Sequence, residues 1–256
     1  VKHQPRKRFG QNFLVDESVV AAIIAAMPLG RSDLVVEIGP GLGALTRPLL
    51  ALVDELHVIE IDRDLAIDLQ RKQPRLTVHT CDALDFDFAQ FNKEIRVVGN
   101  LPYNISTPLL FHLESFSARI RDIHVMLQKE IVDRMAAPPT DSDYSRLSVM
   151  LQYRFTVEKL LSVGPEAFAP QPQVESAVIR LTPRHPLPWP AHDEMLFARI
   201  VAAAFGQRRK TLRNSLKSYL TALDFMTLGI DPQARAQELS VAQFVAIANH
   251  VSARTL

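Results

Sequence analysis

Four short runs of apolar, β-branched residues recur at nearly equal intervals, each closed by a glycine or a polar residue. Leu34-Val35-Val36-Glu37-Ile38 ends at Gly39, Leu56–Ile59 at Glu60, Leu76–Cys81 at Asp82 and Ile95–Gly99 at Asn100, so the ends stand 21, 22 and 18 residues apart. Intervals of that length fit strand–helix–strand units, with crossover helices drawn from Ala44–Val53 and Arg63–Arg71. The alternation gives a parallel sheet covered on both faces, an α/β fold with a Rossmann-like sheet. Ile123–Leu127 reads as a further strand, followed by a helix from Lys129 to Met135. Gln152–Lys159 and Val174–Leu181 read as two more strands, antiparallel at one edge, with the loop Phe168–Pro172 between them.

Pro183, Pro186, Pro188 and Pro190 fall within eight residues, a density that neither a helix nor a central strand tolerates. The expected boundary lies there, between a domain of residues 1–183 and one of residues 184–256. Met195–Phe205, Lys210–Leu223 and Val241–Ala253 have helical spacing, so the second domain is expected to be small and all-helical. In the middle segment Leu212, Leu216, Tyr219, Leu220 and Leu223 form a stripe, with Arg209, Lys210, Arg213 and Lys217 on its flank.

Composition narrows the class. A chain of 256 residues with 47% apolar and 22% charged residues can bury a substantial core. The longest apolar run, Val19–Met27, has nine residues, against the roughly 18 needed to span a bilayer. The opening Val1-Lys2-His3-Gln4 has no hydrophobic signal region, so a cytoplasmic chain is expected; a first residue other than Met suggests a missing natural beginning. Cys81 is the single cysteine, which leaves no disulfide framework. The eight histidines show no metal-ligand spacing; His57, His79 and His124 fall in strand patterns and read as satisfied core residues. No metal is expected. Net charge is only +1, but Lys2, Arg6, Lys7 and Arg8 form one basic patch. Arg199, Arg208, Arg209, Lys210, Arg213 and Lys217 form another, with no acid between residues 199 and 217. Local patches on a nearly neutral body suggest a nucleic-acid footprint.

In an open α/β sheet, ligands collect beyond the carboxyl ends of the strands. The first end carries Glu37-Ile38-Gly39-Pro40-Gly41-Leu42-Gly43, where missing side chains let the backbone approach a ligand and glycine permits positive φ. Glu60, 21 residues beyond Gly39, is placed to accept hydrogen bonds from ribose hydroxyls. Two cofactors fit this pattern. NAD commonly requires Gly-x-Gly-x-x-Gly, whereas the spacing here is Gly-x-Gly-x-Gly after an acid. S-adenosylmethionine has no phosphate and carries ammonium and sulfonium charges, so an acidic loop suits it better. Asp82 can accept from the adenine amino group and complete a nucleoside pocket.

The fourth end delivers Asn100-Leu101-Pro102-Tyr103, which resembles the turn of methyltransferases acting on an amino group conjugated to a planar ring. Such an amine is a poor nucleophile because its lone pair is delocalised. The Asn100 side-chain oxygen and the Leu101 carbonyl can each accept one of its hydrogens, drawing the nitrogen toward tetrahedral geometry. Tyr103 offers an aromatic face to an extruded base. Orientation and desolvation then supply the rate, with no strong base required.

From Lys7 to about Ala253 the chain resembles the ribosomal RNA adenine dimethyltransferase family, in its bacterial small-subunit branch. The resemblance rests on Arg8–Leu14, Glu37–Gly43, Gly99–Ser106, Met126–Glu130, Phe168–Val178 and Gln207–Thr211, all in family order. It implies a class I S-adenosylmethionine-dependent methyltransferase fold with a helical C-terminal domain that binds RNA. The family's cofactor positions match Asn12 and Leu14 within the Gln11–Leu14 segment, the Gly39–Gly41 turn, Glu60, Asp82 and Asn100. Asn100, Leu101, Pro102 and Tyr103 would surround the target amine, and Phe168 would supply a second aromatic face. The implied substrate is 16S ribosomal RNA in an immature small subunit, where two adjacent adenosines of a hairpin loop near the 3′ end each take two methyls. A monomer with a further role in subunit assembly is expected. Arg208, Arg209, Lys210, Arg213 and Lys217 are expected to contact RNA phosphates.

Overall fold

The structure, a computed structural model, describes residues 11–254, so Lys2, Arg6, Lys7 and Arg8 of the first basic patch lie outside the described residues. The chain forms two compact units. The first takes the chain up to Val132 together with Thr156–Pro183; the second takes Asp133–Phe155 and the chain from Arg184.

In the first unit a two-residue strand β1 (Phe13–Leu14) precedes α1 (Glu17–Ala25), whose amino end is capped by the Asp16 carboxylate. The expected alternation follows as β2 (Leu34–Ile38), α2 (Thr46–Leu52), β3 (Glu55–Ile59), α3 (Arg63–Lys72), β4 (Thr77–His79), β5 (Ile95–Asn100), α4 (Ser106–Ser115) and β6 (Ile120–Gln128). After α5 (Lys129–Ala136) and α6 (Arg146–Arg154), β7 (Phe155–Val163), β8 (Phe168–Ala169) and β9 (Ser176–Pro183) return to this unit.

Seven strands form one sheet in the order β4-β3-β2-β5-β6-β9-β7. The pairs from β4 through β6 are parallel, and β9 runs antiparallel to β6. Every residue of β2 is buried, as expected of a central strand covered on both faces. From β2 the chain builds β3 and β4 on one side, then returns to lay β5 on the other. Such a reversal opens a crevice at the carboxyl ends of β2 and β5, where open α/β sheets hold ligands. A Cβ at Gly99 would collide with the Ile38 carbonyl, so the close approach of β5 to β2 depends on that glycine.

The second unit contains α6, α7 (Glu194–Phe205), α8 (Leu212–Ser215), α9 (Ala222–Leu228) and α10 (Val241–Ser252). Three expectations need correction here. The boundary near Pro183 agrees with one crossing between units, but Asp133–Phe155 belongs to the second unit rather than to a 1–183 domain. Tyr153 explains why: its ring lies 4.6 Å from that of Phe197, and its hydroxyl donates to Glu194 and accepts from the Ala191 amide. Gln152–Arg154 closes α6 instead of opening a strand, because the helix starts at Ser145, whose amide donates to Ser148 Oγ. Lys210–Leu223 is not one helix. Thr221 and Asp224 form a capping box that starts α9, so the helical run cannot pass through them; Leu212, Leu216 and Leu220 are buried while Leu223 is exposed.

Of the three histidines expected to be satisfied within strands, two are and one is not. His57 and His79 share a 2.9 Å hydrogen bond and stack. His124 is buried, yet neither ring nitrogen has a hydrogen-bond partner, with Asp122 Oδ1 at 3.6 Å. Among the described residues no helix is long and apolar enough to cross a membrane.

Candidate active site

A cavity of about 310 Å³ opens in the crevice at the carboxyl ends of the parallel strands. Gln11, Asn12, Leu14, Gly39, Gly41, Glu60, Asp82, Asn100, Leu101, Pro102 and Tyr103 all border it. Four strand ends, far apart in sequence, thus meet with the segment around β1.

The turn after β2 requires its glycines. Gly39, Gly41 and Gly43 all have positive φ. A side chain at Gly41 would also meet the Phe13 ring, its Cβ lying 2.9 Å from Cδ1. Glu60 holds this turn: its carboxylate accepts the Gly41 amide at 3.2 Å and the Asp62 amide at 2.9 Å. The carboxylate is thereby fixed at the mouth of β3, beside the glycine turn. Asp82 accepts the Leu84 amide through Oδ1 at 2.9 Å, which orients the carboxylate that closes the third apolar run. Gln11 donates to Asp62, which also caps α3, and so ties the leading segment to the β3 loop.

Sequence reasoning passed over Glu37 as a site residue. It borders the cavity, is 1% exposed and accepts the Thr46 hydroxyl at 2.6 Å. Burial pushes its carboxyl up to about 8, against the lowering by the Thr46 bond and with a further push from Glu60. An acid closing an otherwise apolar strand was the visible signal. Glu37, Glu60 and Asp82 supply carboxyl groups to the cavity, and no Lys, Arg or His borders it among the described residues.

In the reaction loop, Asn100 Nδ2 donates to the Asn12 carbonyl at 2.9 Å. That bond commits the amide's donor end and leaves Oδ1 as its acceptor end. The Leu101 amide donates to the Met126 carbonyl, anchoring the turn to β6. The Pro102 carbonyl already accepts Ser106 Oγ and the Ile105 amide, so it is spent on closing the turn into α4. Tyr103 shares a 2.7 Å hydrogen bond with Ser176 Oγ.

Phe168 is not brought to the cavity. It is 2% exposed, pairs with Leu14 across β1 and β8, and packs in the core with Met126 and Val178. An apolar ring on this ladder gains more from the core than from solvent, so the expected second stacking face is not exposed. Arg208, Arg209, Lys210, Arg213 and Lys217 are all exposed in the second unit. There, Arg208 borders a groove of about 280 Å³ with Arg134 and Arg146, two cations supplied by the segment that sequence reading gave to the other domain.

The chain matches the family model described as ribosomal RNA adenine dimethylase over residues 2–253. It is 58% identical over 254 residues to the ribosomal RNA small subunit methyltransferase A of Thiobacillus denitrificans, covering 98% of this chain and 100% of that protein. The protein of the same description from Nitrosospira multiformis is 57% identical over 252 residues, covering 98% and 97%. Among solved structures, a dimethyladenosine transferase from Plasmodium falciparum aligns with a TM-score of 0.84 at 26% identity, over 95% of this chain and 98% of that one. The 23S rRNA methyltransferase ErmE aligns at 0.75 and 25% identity, over 94% and 100%. With the strand-end cavity and the Asn100–Tyr103 turn inside a match this long, the chain belongs to the ribosomal RNA adenine dimethylase family and carries its class I methyltransferase fold.

Proposed function

We propose that the protein transfers methyl groups from S-adenosylmethionine to the N6 amines of two adjacent adenosines in 16S ribosomal RNA. The target is a hairpin loop near the 3′ end, on an immature small subunit in the cytoplasm. The protein acts as a monomer, and its docking also serves subunit assembly. Relatives described as small subunit methyltransferase A support this choice of RNA. The observation that carries the chemistry is the Asn100 amide, oriented by the Asn12 carbonyl beside a cavity whose titratable side chains, cysteine and tyrosine apart, are all carboxylic acids among the described residues.

The cavity fits the proposed donor. Glu60 and Asp82 complement ammonium and sulfonium charge and would repel a pyrophosphate, while the Glu37 carboxyl, held protonated by burial, lines the same cavity as a neutral acid. When bound, S-adenosylmethionine supplies a methyl group on positively charged sulfur. Glu60 would hold its ribose hydroxyls and Asp82 its adenine amino group. Asn100 Oδ1 and the Leu101 carbonyl take the two hydrogens of the target amine, which localises its lone pair and aims it along the line of displacement. The Tyr103 ring holds the base by its face. After transfer the nitrogen is acidic enough to lose its surplus proton to water, so no basic side chain is needed. A hairpin loop suits this pocket because an unpaired base costs less to extrude than a duplex one. Arg208, Arg209, Lys210, Arg213 and Lys217, with Arg134 and Arg146, contact RNA phosphates.

Nucleoside mass spectrometry of unmethylated small subunits incubated with labelled donor tests the reading. Dimethyladenosine confined to 16S RNA is the expected product. Label in another nucleoside, or in large-subunit RNA alone, contradicts it.

A further inference from the structure

The Tyr103 hydroxyl and Ser176 Oγ are joined across 73 residues of sequence by a 2.7 Å hydrogen bond. Tyr103 leaves the carboxyl end of β5, whereas Ser176 opens β9, with β6 lying between them in the sheet. Ser176 is wholly buried and pairs with Gln128 at the end of β6. The neighbouring Glu175 carbonyl accepts the Lys129 amide, so the start of β9 is pinned to the end of β6. A buried hydroxyl on a rigid strand therefore holds the tip of an aromatic side chain on a loop. Burial raises the Tyr103 phenol above its ordinary range, against the lowering by the Ser176 bond, so it stays a neutral partner at physiological pH.

We propose that Ser176 is a positioning residue whose hydroxyl locks the Tyr103 ring and sets how completely the target amine passes from one methyl to two. This rests on the reading of Asn100–Tyr103 as the loop that holds the amine. The first transfer begins with two N–H groups, and both acceptors, Asn100 Oδ1 and the Leu101 carbonyl, can grip the nitrogen. After it, one N–H remains and a methyl group occupies the other position. Half of the polar grip is gone, and the stacked ring carries a larger share of the orientation. A ring freed at its hydroxyl end therefore harms the second transfer more than the first.

The test compares the unaltered full chain with Ser176→Ala, Tyr103→Phe and the double variant, all acting on unmethylated small subunits. Monomethyl- and dimethyladenosine are quantified by mass spectrometry at matched total methyl incorporation. Ser176→Ala should raise the mono-to-dimethyl ratio several-fold and lower kcat by about tenfold, with KM for the donor unchanged. Tyr103→Phe removes the other half of the same bond while keeping the ring, and should reproduce that signature. The double variant should be no worse than either single one. A wild-type ratio in Ser176→Ala overturns the proposal. So does an equal slowing of both transfers that Tyr103→Phe does not share, since that marks a merely structural serine. If the unaltered chain makes no dimethyladenosine, the underlying reading of the loop fails and the proposal falls with it.

Discussion

The cavity of the first unit gathers Glu37, Glu60 and Asp82 with no bordering cation among the described residues, whereas the groove of the second gathers Arg134, Arg146 and Arg208 beside Asp143. Glu37 and Glu60 are buried, while the three arginines are exposed. The contrast follows from what each region is proposed to bind. A small cation can be stripped of water once and enclosed beside a buried carboxylate such as Glu60, where salt screens little. A polyanion cannot be enclosed, so it is met by exposed cations whose pull is screened and exchanged with counterions. Salt should therefore separate the two regions, and the reaction loop should separate binding from chemistry.

The largest effect is expected at that loop. Asn100→Ala should slow methyl transfer to small subunits by about 10²- to 10³-fold at saturating donor, while calorimetry finds donor affinity little changed. A transfer rate close to that of the unaltered chain would remove Asn100 from its assigned role. Next, Arg208→Glu with Lys210→Glu should flatten the log–log salt dependence of subunit binding by about two units, slightly under one for each lost phosphate contact. Donor binding should not respond to that pair, and an unaltered salt slope would place the RNA elsewhere. Glu60→Ala should weaken donor binding roughly ten- to a hundredfold, the range for a hydrogen bond to a charged group. That loss should persist at high salt; if salt erased it, the cavity would be behaving like the exposed groove.

A separate test, read in stability rather than in rate or binding, concerns Glu37 and pH. Its carboxyl titrates near 4.5 in the unfolded chain and about 8 in the folded one. Below the first value both states hold the proton and the contribution is fully present. Between the two only the folded chain keeps it, so stability falls as pH rises, by about 1.4 kcal/mol per pH unit. Urea unfolding at pH 5, 6.5 and 8 should show this slope in the unaltered chain and lose it in Glu37→Gln. Equal slopes in both would mean that Glu37 is already ionised in the empty cavity.

The strand ends were legible because their signal is local. A β-branched run closed by Gly39, Glu60, Asp82 or Asn100 announces both the strand and what stands at its mouth, and parallel pairing brings those mouths together. What sequence reading missed depends on tertiary placement. Nothing local shows that Phe168 will pair with Leu14 and sink into the core, or that Ser176 will reach Tyr103 past β6. The segment Asp133–Phe155 sits between strands of the first unit in sequence, yet Tyr153 packs on Phe197. Lys210–Leu223 failed for a different reason. The stripe of leucines is visible in the sequence, and so is the Thr221-x-x-Asp224 cap, which starts a new helix within the run.

Sinefungin, which carries an amine where S-adenosylmethionine carries its reactive methyl, offers the most direct measurement of the central claim. A crystal structure of the full chain with this ligand should place that amine about 3 Å from Asn100 Oδ1, a hydrogen-bond distance. The ribose should rest on Glu60 and the adenine amino group on Asp82. A ligand bound outside the crevice between β2 and β5, or one whose amine turns away from Asn100, would contradict the account.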